Sequence, residues 1–192
     1  MSAVRTLAMS FAGLALLMAQ EAGQPGTKLE SITAKDLSGN SATVQTAGKV
    51  TAVLFISVEC PVSNAYNERM ESLYKDYASK GVQFVFLNAN QTESAAQIDR
   101  HAHDKGFTFK VWRDENNVMA DRLGAQFTPE TYVIDRNGVI VYHGRIDDQR
   151  EESKVTVKNL RAALDATLES KAVTVNQAKA FGCTIKRGKK TT

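Results

Sequence analysis

Long basic blocks are absent. The formal net charge is +3 and no run of Lys and Arg interleaves with aromatic residues, so nucleic acid is not an expected partner. The short tail Lys186-Arg187-Gly188-Lys189-Lys190 reads as a solvated, frayed chain end. Long apolar runs are missing too. Leu7–Met18 covers twelve residues, short of the ~20 that a membrane-spanning helix needs. Histidine is scarce. His101 and His103 sit two apart on a helical pattern and face different ways, while His143 ends a strand, where a surface or hydrogen-bonded role suits it. No metal site is expected from them, nor from Asp147-Asp148 with Glu151-Glu152, which reads as a solvated helix approach. There is no glycine-rich phosphate loop, Ser/His/Asp arrangement or internal repeat, and no cofactor is expected.

What is present is enough for one domain. The 192 residues are 43% hydrophobic and 23% charged, which supports one core but not two comfortable ones. Residues 1–22 read as a signal peptide or leader: Arg5 supplies the positive start, Leu7–Met18 the apolar run, and Ala19 or Ala22 the last residue before cleavage. A retained anchor is the alternative. No cysteine lies near this segment, so lipid attachment has no support. The expected location is extracytoplasmic, periplasmic or secreted, where two cysteines can be oxidised.

Along the rest of the chain, Ser38-Gly39-Asn40 marks a turn between two short strands. Thr51–Ser57 is a continuous apolar run that suits a strand buried on both faces. Val62, Tyr66, Met70, Leu73 and Tyr77 form one stripe of a helix over 61–80, closed by Gly81. Val82–Ala89 is a second buried strand, so the two should pair in parallel through a right-handed crossover. A helix over 93–105 turns Ala95, Ala96, Ile98 and Ala102 inward, and a brief one over 117–123 stops at Gly124. Strands 130–135 and 139–143 flank Asn137-Gly138, a two-residue hairpin signal. The last helix spans 154–168, with Val157, Leu160, Leu164 and Leu168 inward. The order predicts an α/β domain over 28–170, a mixed central sheet with helices on both faces, and a tail over 171–192 that carries Cys183.

Chemistry concentrates at Cys60, where a buried strand meets a helix. Pro61 suits the first helical position, which leaves Cys60 at the cap, before unpaired N–H groups and the positive end of the helix dipole. Both favour a thiolate and a lowered thiol pKa. Glu59 would oppose this if its carboxylate pointed inward. Position alone leaves two readings open, a reactive thiol and an inert buried one. Ser63 stands where a C-x-x-C dithiol would have its second cysteine. Its hydroxyl can donate to a thiolate but cannot close a disulfide. Thr128-Pro129 enters a strand, a place where proline is tolerated and a cis bond is cheap.

The strand VTAVLFIS, then Cys60-Pro61, VQFVFLNAN and FTPETYVIDRNGVIVYHGRID together resemble the thioredoxin-like superfamily. Within it they are most similar to the redoxin group with the alkyl hydroperoxide reductase/thiol-specific antioxidant domain. The resemblance implies a thioredoxin-like fold, with Cys60 as redox nucleophile and Thr128-Pro129 as the cis-proline loop facing it. Cys60, Cys183, Pro129 and Ser63 are then the expected catalytic residues, and Thr128 and Pro61 the substrate-binding ones. Two departures matter. Ser63 replaces the second cysteine, and the peroxiredoxin signature is half met, with Ser57 in place but Val53 at its proline position. Its arginine is missing, since Pro129 stands about there. These features favour an exported thiol-disulfide oxidoreductase over a peroxide reductase, with a non-catalytic binding module as third reading. The expected partners are a protein disulfide or peroxide substrate and a thiol reductant. Cys183 is the one thiol able to resolve Cys60, yet it lies 123 residues away. The last helix should carry the chain roughly 22 Å off, and the tail can return on the order of 40 Å if extended. Two-cysteine peroxiredoxins imply a C-terminal resolving cysteine, often across a homodimer. The alternative is a tail residue without redox consequence.

Overall fold

Strand β3 (Thr51–Ile56) is buried at every position. Its side chains alternate between two cores, as a pleated strand with a two-residue period requires. Ala52, Leu54 and Ile56 pack with Met70, Leu73, Tyr77, Leu160 and Leu164, whereas Val53 and Phe55 pack with Met119, Leu123, Tyr132 and Ile134. Each large side chain so buried contributes about 1.5–3 kcal/mol. The computed structural model describes residues 23–188; the expected leader lies outside the described residues.

The other strands are β1 (Ser31–Lys35), β2 (Ser41–Gln45), β4 (Gln83–Asn88), β5 (Val111–Arg113), β7 (Glu130–Ile134) and β8 (Ile140–Gly144), in the sheet order β2-β1-β5-β4-β3-β7-β8. β3, β4 and β5 run parallel, and β7 joins β3 antiparallel. Helices α2 (Asn67–Ala78), α3 (Ala95–Asp104) and α5 (Asn159–Leu168) cover one face, with α4 (Val118–Leu123) on the other. A second small sheet joins β6 (Phe127–Thr128) to β9 (Cys183–Thr184). This is the mixed sheet between helical layers that the thioredoxin-like resemblance implies.

Several local expectations need correction. The single helix over 61–80 is two, because α1 (Pro61–Asn64) ends after one turn and α2 begins at Asn67. The Tyr66 ring is pulled into the core there, its hydroxyl donating to Asp147 Oδ1 at 2.9 Å, and Arg69 Nη2 takes up the Ala65 carbonyl at 3.2 Å. The last helix starts at Asn159 rather than 154, since the Asp148 carboxylate accepts the N–H groups of Thr156 and Val157 and keeps them out of the helix. Val157 is accordingly exposed, and so is Ala96 of α3. The Asn137-Gly138 hairpin is wider than two residues. Asp135 Oδ1 accepts from Asn137 and Val139 N–H, and Gly138 alone takes positive φ, at 78°. The expected solvated acidic cluster contains a buried ion pair, in which both Asp147 oxygens accept from Arg69 Nη1 at 2.9 and 2.7 Å.

The tail does not fray over residues 186–188. Lys186 N–H donates to Asn90 Oδ1 at 2.7 Å, Arg187 reaches the Ala125 carbonyl at 2.6 Å, and Gly188 N–H donates to Asn117 Oδ1 at 3.1 Å. Ile185 beside them is buried in the second core.

Candidate active site

Cys60 caps α1 with extended backbone, at φ −79° and ψ 115°, and its residue surface is 3% exposed. The Cys60 N–H donates to Ser57 Oγ at 3.0 Å, and its sulfur receives the Ser63 N–H at 3.3 Å. That sulfur lies 3.2 Å from the Thr128 carbonyl oxygen. The Thr128-Pro129 bond is cis. The strand end and the loop after β6 therefore meet at the sulfur, and Pro61 holds the first position of α1 as its ring favours.

Two electrostatic expectations change. The helix behind Cys60 is one turn long, so its dipole is weak and the Ser63 N–H is the local donor that remains. Ser63 is fully buried, and its hydroxyl oxygen accepts from Ser57 N–H at 3.1 Å. Its contribution to the sulfur comes through the main chain. Glu59 is exposed, so its carboxylate does not enter the site.

Cys183 joins Cys60 in a disulfide within one chain, with Cα atoms 5.8 Å apart. That separation falls inside the usual range for such a bond. The tail returns as a strap. Ala178 N–H donates to the His143 carbonyl, Phe181 packs edge-on to Tyr66, and Thr128 pairs with Cys183 across β6 and β9. Gly182 makes the approach feasible, because a Cβ there would stand 2.0 Å from the Thr128 carbonyl oxygen. Gly182→Ala should loosen the docked strap by about 1–3 kcal/mol. Equilibration with glutathione would register this as a smaller oxidised fraction; an unchanged fraction would show that the strap does not depend on the close approach.

Two buried carboxylates support the site, and neither was read from the sequence as functional. Glu93, 0% exposed, accepts from Ser57 Oγ (2.6 Å), Val58 N–H (2.8 Å), Glu59 N–H (3.1 Å) and Asn90 Nδ2 (2.7 Å), and also from Asn88 Nδ2. Burial pushes its carboxyl pKa up, but hydrogen bonds from Asn88, Ser57, Val58 and Asn90 outweigh this and hold it below the ordinary value. Asn90 Nδ2 also donates to Ser57 Oγ at 2.8 Å. The available signal was the polar run Asn90–Ser94 directly after a buried parallel strand, since the carboxyl ends of neighbouring parallel strands meet at one edge. Ser94, not Glu93, caps α3. Glu130 Oε2 accepts the N–H groups of Gln126 and Phe127 at 2.7 and 2.8 Å, and Oε1 lies 2.6 Å from His143 Nε2. This carboxylate fixes the segment that leads into Thr128-Pro129. Burial raises its pKa, and His143 with the two N–H groups brings it below the ordinary carboxylate value. His143 is thus hydrogen-bonded, and it stacks on Tyr132. A cleft of about 490 Å³ lies between α2 and the 146–161 segment, but neither cysteine nor Thr128-Pro129 lines it.

Comparison with known proteins agrees with this geometry. Thiol-disulfide oxidoreductase ResA of Halalkalibacterium halodurans is 29% identical over 119 residues, covering 60% of this chain and 65% of that protein. The chain thus matches a little under two thirds of that relative's length. Thioredoxin-like protein YneN of Bacillus subtilis is 29% identical over 136 residues, covering 69% of this chain and 79% of that protein. The crystal structure of an uncharacterized conserved protein from Geobacillus kaustophilus matches with a TM-score of 0.81 at 29% identity. It covers 89% of this chain and 96% of that one. The family model Redoxin matches residues 24–164, a stretch that holds Cys60 and Thr128-Pro129 and stops short of Cys183. On that match the chain belongs to the Redoxin family.

Proposed function

We propose that this protein is an exported thiol-disulfide oxidoreductase in which Cys60 attacks substrate and Cys183 resolves the product. The observation that carries the reading is the Cys60–Cys183 bond formed beside a cis-proline loop. The name of ResA, a 29% identical relative, supports the same chemistry. In the reductive direction, Cys60 loses its proton and its thiolate attacks one sulfur of a substrate disulfide. A mixed disulfide forms and the first substrate thiolate leaves, taking up a proton. Cys183, deprotonated in turn, attacks Cys60 Sγ; the Cys60–Cys183 bond forms and the second substrate thiol departs. Two electrons pass to the substrate, and an external thiol returns them. The pair closes within one chain, so this cycle requires no homodimer. The extracytoplasmic location rests on the leader read in residues 1–22 and on the oxidised pair itself.

Insulin reduction and peroxide consumption, assayed side by side with a dithiol reductant, test the reading. Turnover on insulin with little peroxide loss is expected. Peroxide consumption alone would favour a sulfenic acid at Cys60, and inactivity in both assays would indicate a binding module.

A further inference from the structure

We infer that Asn90 is a positioning residue for the resolving step, a role that rests on the thiol-disulfide reading above. Its side chain bonds both halves of the cysteine pair's support. On one side, Nδ2 donates to Ser57 Oγ at 2.8 Å and to Glu93 Oε1 at 2.7 Å. Ser57 Oγ in turn accepts the N–H of Cys60 at 3.0 Å. On the other side, Oδ1 accepts the N–H of Lys186 at 2.7 Å, three residues beyond Cys183. The Gln91 N–H closes the contact by donating to the Lys186 carbonyl at 2.9 Å. The amide is 5% exposed, so water competes poorly for these bonds. Asn90 is held in turn, its N–H donating to Asn88 Oδ1 at 3.1 Å.

The consequence concerns the second thiol. The strap lies beyond residue 164, where the matched family segment ends, and it docks on residues inside that segment. The disulfide is not its sole anchor. Lys186, Arg187 and Gly188 dock downstream of Cys183, and Ala178 docks upstream through His143. Cys183 therefore stays beside Cys60 after the bond is reduced. When Cys60 carries a substrate sulfur, Cys183 attacks Cys60 Sγ, the Cys60–Cys183 bond forms, and the substrate thiolate leaves and is protonated. Asn90 raises the local concentration of Cys183 for that attack. The loop and the strap share one amide.

The test measures two rates on the full mature chain with a small aromatic disulfide as probe: attack by Cys60, and release of the second aromatic thiol. Asn90→Ala and Lys186→Pro are compared with wild type, and the Cys60–Cys183 potential is read by equilibration with glutathione. Lys186→Pro removes the donated N–H while leaving Asn90, Glu93 and Ser57 in place. Each variant should lower the ratio of release to attack about tenfold and raise the reduction potential by about 30 mV, the equivalent of that factor for a two-electron couple. The double variant should fall no further than Asn90→Ala alone, because both remove one contact. Should Asn90→Ala fail to fold, Lys186→Pro decides by itself. A wild-type ratio and potential in Lys186→Pro, or fully multiplicative effects in the double variant, would overturn the assignment. Absence of the Cys60–Cys183 bond in oxidised wild type would remove both the assignment and the reading beneath it.

Discussion

Replacing Cys183 with serine should arrest the protein as a covalent adduct on Cys60. With insulin or an aromatic disulfide, Cys183→Ser should release one thiol per chain and then stop, and mass spectrometry should find the other half on Cys60. Multiple turnover should drop roughly a hundred- to thousandfold at micromolar external thiol, because an intramolecular group acts at millimolar or higher effective concentration. Cys60→Ser should form no adduct at all. The asymmetry follows from the two settings. Cys60 sits at a cap, with the Ser63 N–H on its sulfur and the Thr128 carbonyl oxygen 3.2 Å away, whereas Cys183 arrives on a strap. Wild-type turnover in Cys183→Ser would mean that Cys60 works alone with external thiols. An adduct on Cys183 in the Cys60→Ser chain, formed at the wild-type rate, would reverse the assigned roles.

Glu93→Gln, a change of one atom, should be severe. All five groups facing the Glu93 carboxylate are donors: Ser57 Oγ, Val58 N–H, Glu59 N–H, Asn88 Nδ2 and Asn90 Nδ2. A glutamine amide must turn its own NH₂ toward two or three of them, so donors face donors in a buried site. The cost should be about 3 kcal/mol, or roughly 6–12 °C in Tm, with slower Cys60 chemistry because Ser57 and the 58–59 backbone lose their anchor. Acid sensitivity separates this from a general packing defect. The folded-state carboxyl is held below its ordinary value of 4.5, so the stability it contributes is fully present above that value. It drains away as pH falls through the lower folded value. Wild type should lose stability over that window, below about pH 4.5. Glu93→Gln should start lower and lose less there. Equal acid slopes in the two proteins would rule out the carboxylate as the source.

The buried strands at the centre of the sheet, the strand-to-helix junction at Cys60 and the strand entry at Thr128-Pro129 were legible in the sequence. Those features are written in local chemistry. β3 and the middle of β4 are apolar runs, Pro61 suits a helix start, and Thr128-Pro129 stands before a strand that pairs with β3. Such signals depend on neighbours a few residues apart, and periodicity carries them. Tertiary structure alone decided the rest. The break at Ala65-Tyr66 comes from a ring held by Asp147, eighty-one positions on, and no helical stripe records that pull. Glu93 looked like the polar start of a helix because its five donors come from two other stretches of chain, 57–59 and 88–90. The closest case is Cys183. Chain length allowed it to reach Cys60, but length bears only on the entropy of closing a loop. What brings the two sulfurs together is a strap docked through Asn90, Asn117 and the β6 edge. Those contacts are made between surfaces that do not exist until the domain has folded.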